Sequence, residues 1–199
     1  GWGGDEAFQS NRFKILGLPE NCTLAEYVTV GVSQLHAKPA HLSWDQAAAL
    51  PLGGLTVYRG LFTKGQLKKG QKVLITGVGA GTGTIALQFA LAAGCQVFVT
   101  SGSGEKIARA KQLGAAAGVN YKAQDWAEQL QELSGGFDVI LDSALGDGFA
   151  KLPDICKPGG RIVIFGGTAG NIPALNGRKI FWRQLHITGT MMGSPADFK

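Results

Sequence analysis

With 199 residues, 45% of them hydrophobic and 17% charged, the chain can bury one full core and part of a second, as a globular protein does. No apolar run approaches the roughly 18 residues that span a bilayer, and Gly1–Ser10 lacks the basic-then-apolar order of a secretory leader, so the expectation is a cytoplasmic protein without a membrane partner. The net charge of +5 comes from scattered Lys and Arg with no basic stretch interleaved with aromatics, which argues against a nucleic-acid partner.

In chain order, Leu24 to Val30 alternates in a strand-like way and Val32 to Leu35 continues it until Pro39. Ser43 is placed to cap a helix with Asp45 and Gln46 in its first turn; Pro51 interrupts, and Leu52 to Thr63 reads as a second helix ending near Gly65. A regular alternation then begins. Lys72 to Thr76 reads as strand, Thr82 to Ala93 as helix stopped by Gly94, Gln96 to Thr100 as strand, and Glu105 to Leu113 as helix closed by Gly114. Gly118 to Tyr121 is strand, Trp126 to Leu133 helix, Phe137 to Asp142 strand, Phe149 to Cys156 helix, Arg161 to Phe165 strand and Leu185 to Gly189 a last strand. The Ser/Pro/Asp cluster of the final "GSPADFK" opens another helix, and with no initiator Met the sequence is expected to be a piece of a longer one. Nearly all-apolar strands separated by helices of about ten residues predict an α/β fold, a doubly wound parallel sheet running from about Gln71 to Met191.

The sharpest motif is "VLITGVGAGTGTIALQFALAAG", a strand running through a glycine-rich turn straight into a helix. A pyrophosphate needs close backbone approach and the free N–H groups of a helix N-terminus, and small residues permit both. Gly77, Gly79, Ala80, Gly81, Thr82 and Gly83 lie in that turn. The competing reading is a glycine turn needed only for packing, but four glycines alternating over seven residues exceed what a turn requires.

The end of the second strand, "VFVTSGSGEK", bears on which dinucleotide is held. A protein selecting NAD places an Asp or Glu about 20 residues past the glycines, where it holds the ribose 2′-hydroxyl and repels a 2′-phosphate. Here that position is the neutral Ser101, with Ser103 as a further hydroxyl donor and Lys106 as a source of charge, which favours NADP(H). Against it stand Glu105 and the plainer reading that Ser and Gly only make the turn while Lys106 is solvated.

The segments "AEYVTV", "KPAHLSWDQAAALPLGGLTVYRGL", "KKGQKVLITGVGAGTGTIALQFA", "EKIARAKQLGAAAGVNY", "FDVILDS" and "KPGGRIVIFGGTAG" together resemble the medium-chain dehydrogenase/reductase superfamily, in particular its zinc-independent quinone oxidoreductase-like branch. The resemblance implies a Rossmann domain over 51–191, preceded at 1–50 by the C-terminal part of a GroES-like β domain and followed at 192–199 by the start of the chain's return to it. It implies that Thr56 of "GLTVY" approaches the nicotinamide and pyrophosphate, that Ser101 and Lys106 grip the 2′-phosphate, and that Tyr121 lies beside it. Ser143, Ala144, Gly166, Gly167 and Thr168, in the loops after the fourth and fifth strands, would line the nicotinamide half. An aromatic at a strand end is an equally good account of Tyr121 by itself.

The sequence also departs from the family pattern. Aligning the helix puts Val78 and Ala80 where dehydrogenase members have Gly, which leaves Gly81, Thr82 and Gly83 as the firmest phosphate contacts. Zinc-dependent members carry a Cys just before the "GLT" helix and a four-Cys lobe; here that stretch is "ALPLGGLT", and Cys22, Cys95 and Cys156 stand more than sixty residues apart. His36, His41 and His186 show no ligand spacing, so no metal is expected. The resemblance then implies hydride transfer from NADPH to a quinone, enone, aldehyde or ketone, with no catalytic acid that the sequence can name, and a homodimer paired through the last strand. The alternative is a dinucleotide-binding module without turnover.

Overall fold

The computed structural model describes residues 2–19 and 21–199. Six strands form one parallel sheet: β1 Lys72–Ile75, β2 Gln96–Ser101, β3 Ala117–Asn120, β4 Phe137–Asp142, β5 Cys156–Ile164 and β6 His186–Gly189, in the spatial order β3-β2-β1-β4-β5-β6. This is the expected doubly wound Rossmann sheet. Successive strand side chains point to opposite faces, and both faces are buried. Val73, Ile75, Val97, Val99, Val139, Leu141 and Val163 enter one core, and Leu74, Phe98, Ile140 and Ile162 the other.

Helices α1 Trp44–Ala49, α2 Pro51–Tyr58, α3 Gly81–Ala92 and α4 Gly104–Gln112 precede α5 Trp126–Ser134, α6 Leu152–Ile155, α7 Gly177–Trp182 and α8 Pro195–Phe198. The expected cap of α1 is present as a reciprocal box: Ser43 Oγ accepts from Gln46 N–H, and Gln46 Oε1 accepts from Ser43 N–H. Pro51 does not break the chain's path but starts α2 at its first turn, where a missing N–H costs nothing. Beyond Tyr58 the helix widens to a π-helical stretch, Arg59–Lys64, closed by Gly65 N–H donating to Gly60 O at 2.9 Å. The wide turn lies hard against the sheet, since a β-carbon on Gly60 would stand 2.8 Å from Leu141 Cδ1.

Three expectations are corrected. Leu24 to Val30 and Val32 to Leu35 are not strands: Val32–Gln34 is a single 3-10 turn and the rest is irregular. Their apolar side chains, with Leu24, Tyr27 and Val32 exposed, have no sheet to pack against, and alternation alone does not make a strand. The helix expected over Phe149 to Cys156 is a 3-10 segment, Asp147–Lys151, followed by the one-turn α6, because Cys156 is already paired with Phe137 as the first residue of β5. That pairing lengthens β5 backwards through Pro158–Gly160, five residues earlier than its apolar run suggests. The stretch between β5 and β6, given no element from sequence, contains α7 capped by the Asn176 side chain.

Candidate functional site

The chain order reverses between β1 and β4, and at such a switch point the loops leaving the carboxyl ends of the strands splay apart to leave a crevice. The turn after β1 is fixed to β2 by two bonds, Gly77 N–H to Thr100 Oγ1 at 3.2 Å and Val78 N–H to Thr100 O at 2.8 Å. Gly79 has φ +98°, a region L side chains avoid. Gly83 sits where a β-carbon would lie 3.1 Å from both Gly77 O and Val78 Cα, so its hydrogen lets α3 start directly beneath the turn. The N-cap of α3 is Ala80, which has no group to cap with, and among the described residues no acceptor meets the N–H groups of Gly81, Thr82 and Gly83. Three unmatched donors at the positive end of a twelve-residue helix have the chemistry to receive an anion.

At the end of β2, Ser101 is buried and its Oγ accepts from Ser103 N–H at 3.3 Å. Ser103 caps α4, its Oγ accepting from Lys106 N–H at 3.4 Å, so both hydroxyls keep their protons for donation. The stem of Lys106 lies across the glycine turn, with Cδ 2.5 Å from where a Gly79 β-carbon would be. Tyr121 donates its N–H to Ser101 O at 3.4 Å and carries its ring over Gly102, Oη being 2.7 Å from the β-carbon position there. Ser101, Ser103, Lys106 and Tyr121 are thus brought together beside the turn. Lys122 reaches the same place, its Cε 3.1 Å from that Gly102 position, and was not singled out from sequence because a lysine after a strand reads as ordinary surface.

The loops after β4 and β5 interlock. Thr168 donates both its N–H and its hydroxyl to Ser143 O, Ala169 N–H donates to Ala144 O at 2.8 Å, and Gly166 packs on the Ser143 backbone. Gly167 follows with space only as far as Leu145. Ser143 also donates its N–H to Thr76 Oγ1 at 3.2 Å, tying this pair of loops to the turn after β1. Beneath them is Asp142, which sequence reasoning passed over as the end of an apolar strand. Its Oδ1 accepts from the Thr76 hydroxyl and its Oδ2 from the N–H groups of Ala144 and Leu145. Burial pushes its carboxyl above the usual range, and those three donors pull back against the shift.

Thr56 is on α2, which crosses the start of α3: one turn earlier, a Gly53 β-carbon would meet Ile85 Cδ1 at 3.0 Å and Thr82 Cγ2 at 3.7 Å. Its hydroxyl donates to Leu52 O at 2.7 Å, so that proton is already spent inside the helix. A cavity of about 240 Å³ lies elsewhere, between the N-terminal arm, the π-helical stretch Arg59–Lys64 and the end of β6. Its cations, Arg59 and Lys64, already donate to the carbonyls of residues 6 and 7, so the crevice at the switch point is the better-equipped site. Among the described residues, no three His, Cys, Asp or Glu side chains converge as metal ligands, and no helix is long and apolar enough to cross a membrane.

This geometry agrees with the comparisons to known proteins. The family model of zinc-binding dehydrogenases matches residues 81–199. The chain belongs to that family, within the medium-chain dehydrogenase/reductase superfamily. It is 37% identical over 192 residues to the zinc-type alcohol dehydrogenase-like protein YogA of Leptosphaeria maculans, covering 92% of this chain and 52% of that protein. To quinone oxidoreductase 1 of Escherichia coli it is 35% identical, over 69% of this chain and 43% of the other. A crystal structure of an NAD-dependent alcohol dehydrogenase superposes with a TM-score of 0.88 at 37% identity, over 94% of this chain and 55% of that one. The quinone oxidoreductase of Thermus thermophilus, solved also in complex with NADPH, gives 0.76 at 32% identity, over 87% and 55%. The chain therefore spans about half the length of these relatives. The two structures differ in the dinucleotide they name, so the choice in this chain has to be argued from its own residues.

Proposed function

We propose that this chain is the dinucleotide-binding part of an NADPH-dependent, zinc-independent oxidoreductase that reduces a quinone, enone, aldehyde or ketone. The observation that carries the reading is the end of β2: a neutral Ser101 where an NAD-selecting carboxylate would stand, with Lys106 folded over the glycine turn beside it. The residues present fit the cofactor. The donors of Gly81, Thr82 and Gly83 suit a diphosphate, with Gly79 and Ala80 allowing its close approach; Ser101, Ser103, Lys106 and Tyr121 suit a phosphate on the adenosine ribose. The interlocked loops of Ser143, Ala144, Gly166, Gly167 and Thr168 offer a wall along the other half of the crevice, and α2, which carries Thr56, crosses the start of α3. The bound dinucleotide supplies the hydride; the protein orients it and keeps water from the transfer. The first turn of α2 carries Leu52 and Gly53 and no thiol, which supports the zinc-independent branch.

In this reading residues 51–191 are the Rossmann domain, 1–50 the tail of a GroES-like segment and 192–199 the start of the chain's return. Among the described residues the outer side of β6 is an unpaired sheet edge, which supports a homodimer joined through that strand. Light scattering of the intact protein checks this, a monomeric mass overturning it. A dinucleotide-binding module without turnover is the second reading. It is favoured by the hydroxyl of Thr56, which is already donated to Leu52 O and so leaves the α2 side chain expected at the nicotinamide without a proton to offer.

Calorimetric titration of NADPH and NADH separates these readings from a protein with no nucleotide site. NADPH should bind more tightly, Lys106→Ala should cost about tenfold in NADPH affinity and little for NADH, and Ser101→Asp should reverse the preference. Equal losses for both dinucleotides on Lys106→Ala would remove the basis for NADPH. Binding without reduction of any quinone or enone by the intact protein would favour the module.

A further inference from the structure

We propose that Lys122 is a second cationic ligand for the 2′-phosphate of the dinucleotide, reaching the phosphate from β3 while Lys106 reaches it from α4. The inference rests on the NADPH reading above and adds to it a residue that decides specificity.

Neighbouring residues of an extended strand point to opposite faces, so Tyr121 and Lys122 would ordinarily diverge. Here the chain turns directly after β3: the Asn120 carboxamide accepts from Lys122 N–H at 3.0 Å, and Asn120 O accepts from Ala123 N–H at 3.1 Å. The turn swings both side chains onto one point. Measured from the position of a β-carbon on Gly102, Tyr121 Oη is at 2.7 Å and Lys122 Cε at 3.1 Å. Gly102 lies between Ser101 and Ser103, the two hydroxyls whose protons are free, and a side chain on it would displace Tyr121 and Lys122. Among the described residues neither Lys106 nor Lys122 places its ammonium in an ion pair or hydrogen bond. The Lys122 stem and the Tyr121 phenol meet at Gly102 between two hydroxyls, while the Lys106 stem lies across Gly79 in the adjoining turn; two unpaired cations, a phenol and two hydroxyls around a loop with no side chain of its own match a phosphate monoester, which carries close to two charges and accepts several hydrogen bonds. A ribose with a free 2′-hydroxyl needs one acceptor there and gains nothing from a second cation.

The test is calorimetric titration of this chain with NADPH and with NADH, at two ionic strengths, for the wild type, Lys122→Ala, Lys122→Arg, Lys106→Ala and the control Lys111→Ala, an exposed lysine farther along α4. Lys122→Ala should weaken NADPH about tenfold and change NADH less than about twofold, with a shallower salt dependence for NADPH; Lys122→Arg should recover most of the loss, and Lys111→Ala should change nothing. If the wild type prefers NADPH and loses that preference in Lys106→Ala but keeps it in Lys122→Ala, the role of Lys122 is overturned while the NADPH reading stands. If the wild type binds NADPH no better than NADH, both fall together.

Discussion

The hydroxyl of Thr76, one residue beyond β1, donates to Asp142 Oδ1 at 2.6 Å across the point where the sheet changes direction. Thr76 leads into the glycine turn, and Asp142 holds the loop of Ser143 to Leu145 through its other oxygen. One buried carboxylate therefore sets the distance between the two walls of the crevice. Replacing it by Ala leaves a hydroxyl and two backbone N–H groups without an acceptor in a buried place, each costing about 1–3 kcal/mol when unmatched. Asp142→Ala should lower unfolding stability by about 3 kcal/mol or more and weaken dinucleotide binding; Asp142→Asn, which keeps the shape and one acceptor, should lose much less. Urea unfolding of the two variants measures this, and near-equal midpoints for wild type and Asp142→Ala would show that the network is replaceable by water.

Asp142 and Asp197 should respond to pH in opposite directions. Burial raises the Asp142 carboxyl above its ordinary 3.8, so between 3.8 and its native value the folded chain holds a proton that the unfolded chain has released. Its contribution to stability is present at low pH and falls as pH rises through that window. For Asp197, burial also pushes upward, but the Thr63 hydroxyl, the Ser194 N–H and the Arg59 guanidinium outweigh it and hold the carboxyl below 3.8. That contribution is complete above pH 3.8 and is lost as pH falls through the lowered value. Arg59 is 2% exposed and bonded to Asp197 at 2.5 Å, so Asp197→Asn strands a buried cation and should cost about 3 kcal/mol at neutral pH. Denaturant midpoints from pH 3 to 7 should show the Asp197→Asn deficit shrinking towards acid. A deficit independent of pH would assign it to packing.

Which parts of this were legible in the sequence follows from where the information lies. Phe137–Asp142 is a strand at the bounds expected from it, and the βα alternation from Gly70 through β4 was readable, because strands buried on both faces must be apolar throughout. The same test failed at Leu24 to Val30, whose alternation meets no partner strand, and at Cys156, where a proline and two glycines hide a strand that is held by its pairing with Phe137. In the site, the glycines and Ser101 announced themselves through residue type and spacing. Asp142 and Lys122 did not, since their roles depend on Thr76 and Gly102, brought close by the fold from 66 and 20 residues away.

Gly81 and Gly83 offer the sharpest separation of binding from folding. They are two residues apart in the same motif, and both read as phosphate contacts. A β-carbon on Gly81 meets nothing within 4 Å, whereas one on Gly83 presses on Gly77 O and Val78 Cα at 3.1 Å, which are backbone atoms that cannot swing aside. Gly83→Ala should therefore lift α3 from the turn, lowering stability by about 1–3 kcal/mol and dinucleotide affinity with it. Gly81→Ala takes a helical position that Ala fills at least as well as Gly, so stability should hold or rise slightly. The added methyl stands at the mouth of the three free N–H groups, however, and should hinder a diphosphate approaching them. Thermal unfolding and calorimetric titration of the two variants side by side decide the point. An undiminished affinity in Gly81→Ala would move the diphosphate away from the N-terminus of α3, and the proposed placement of the dinucleotide in this crevice would go with it.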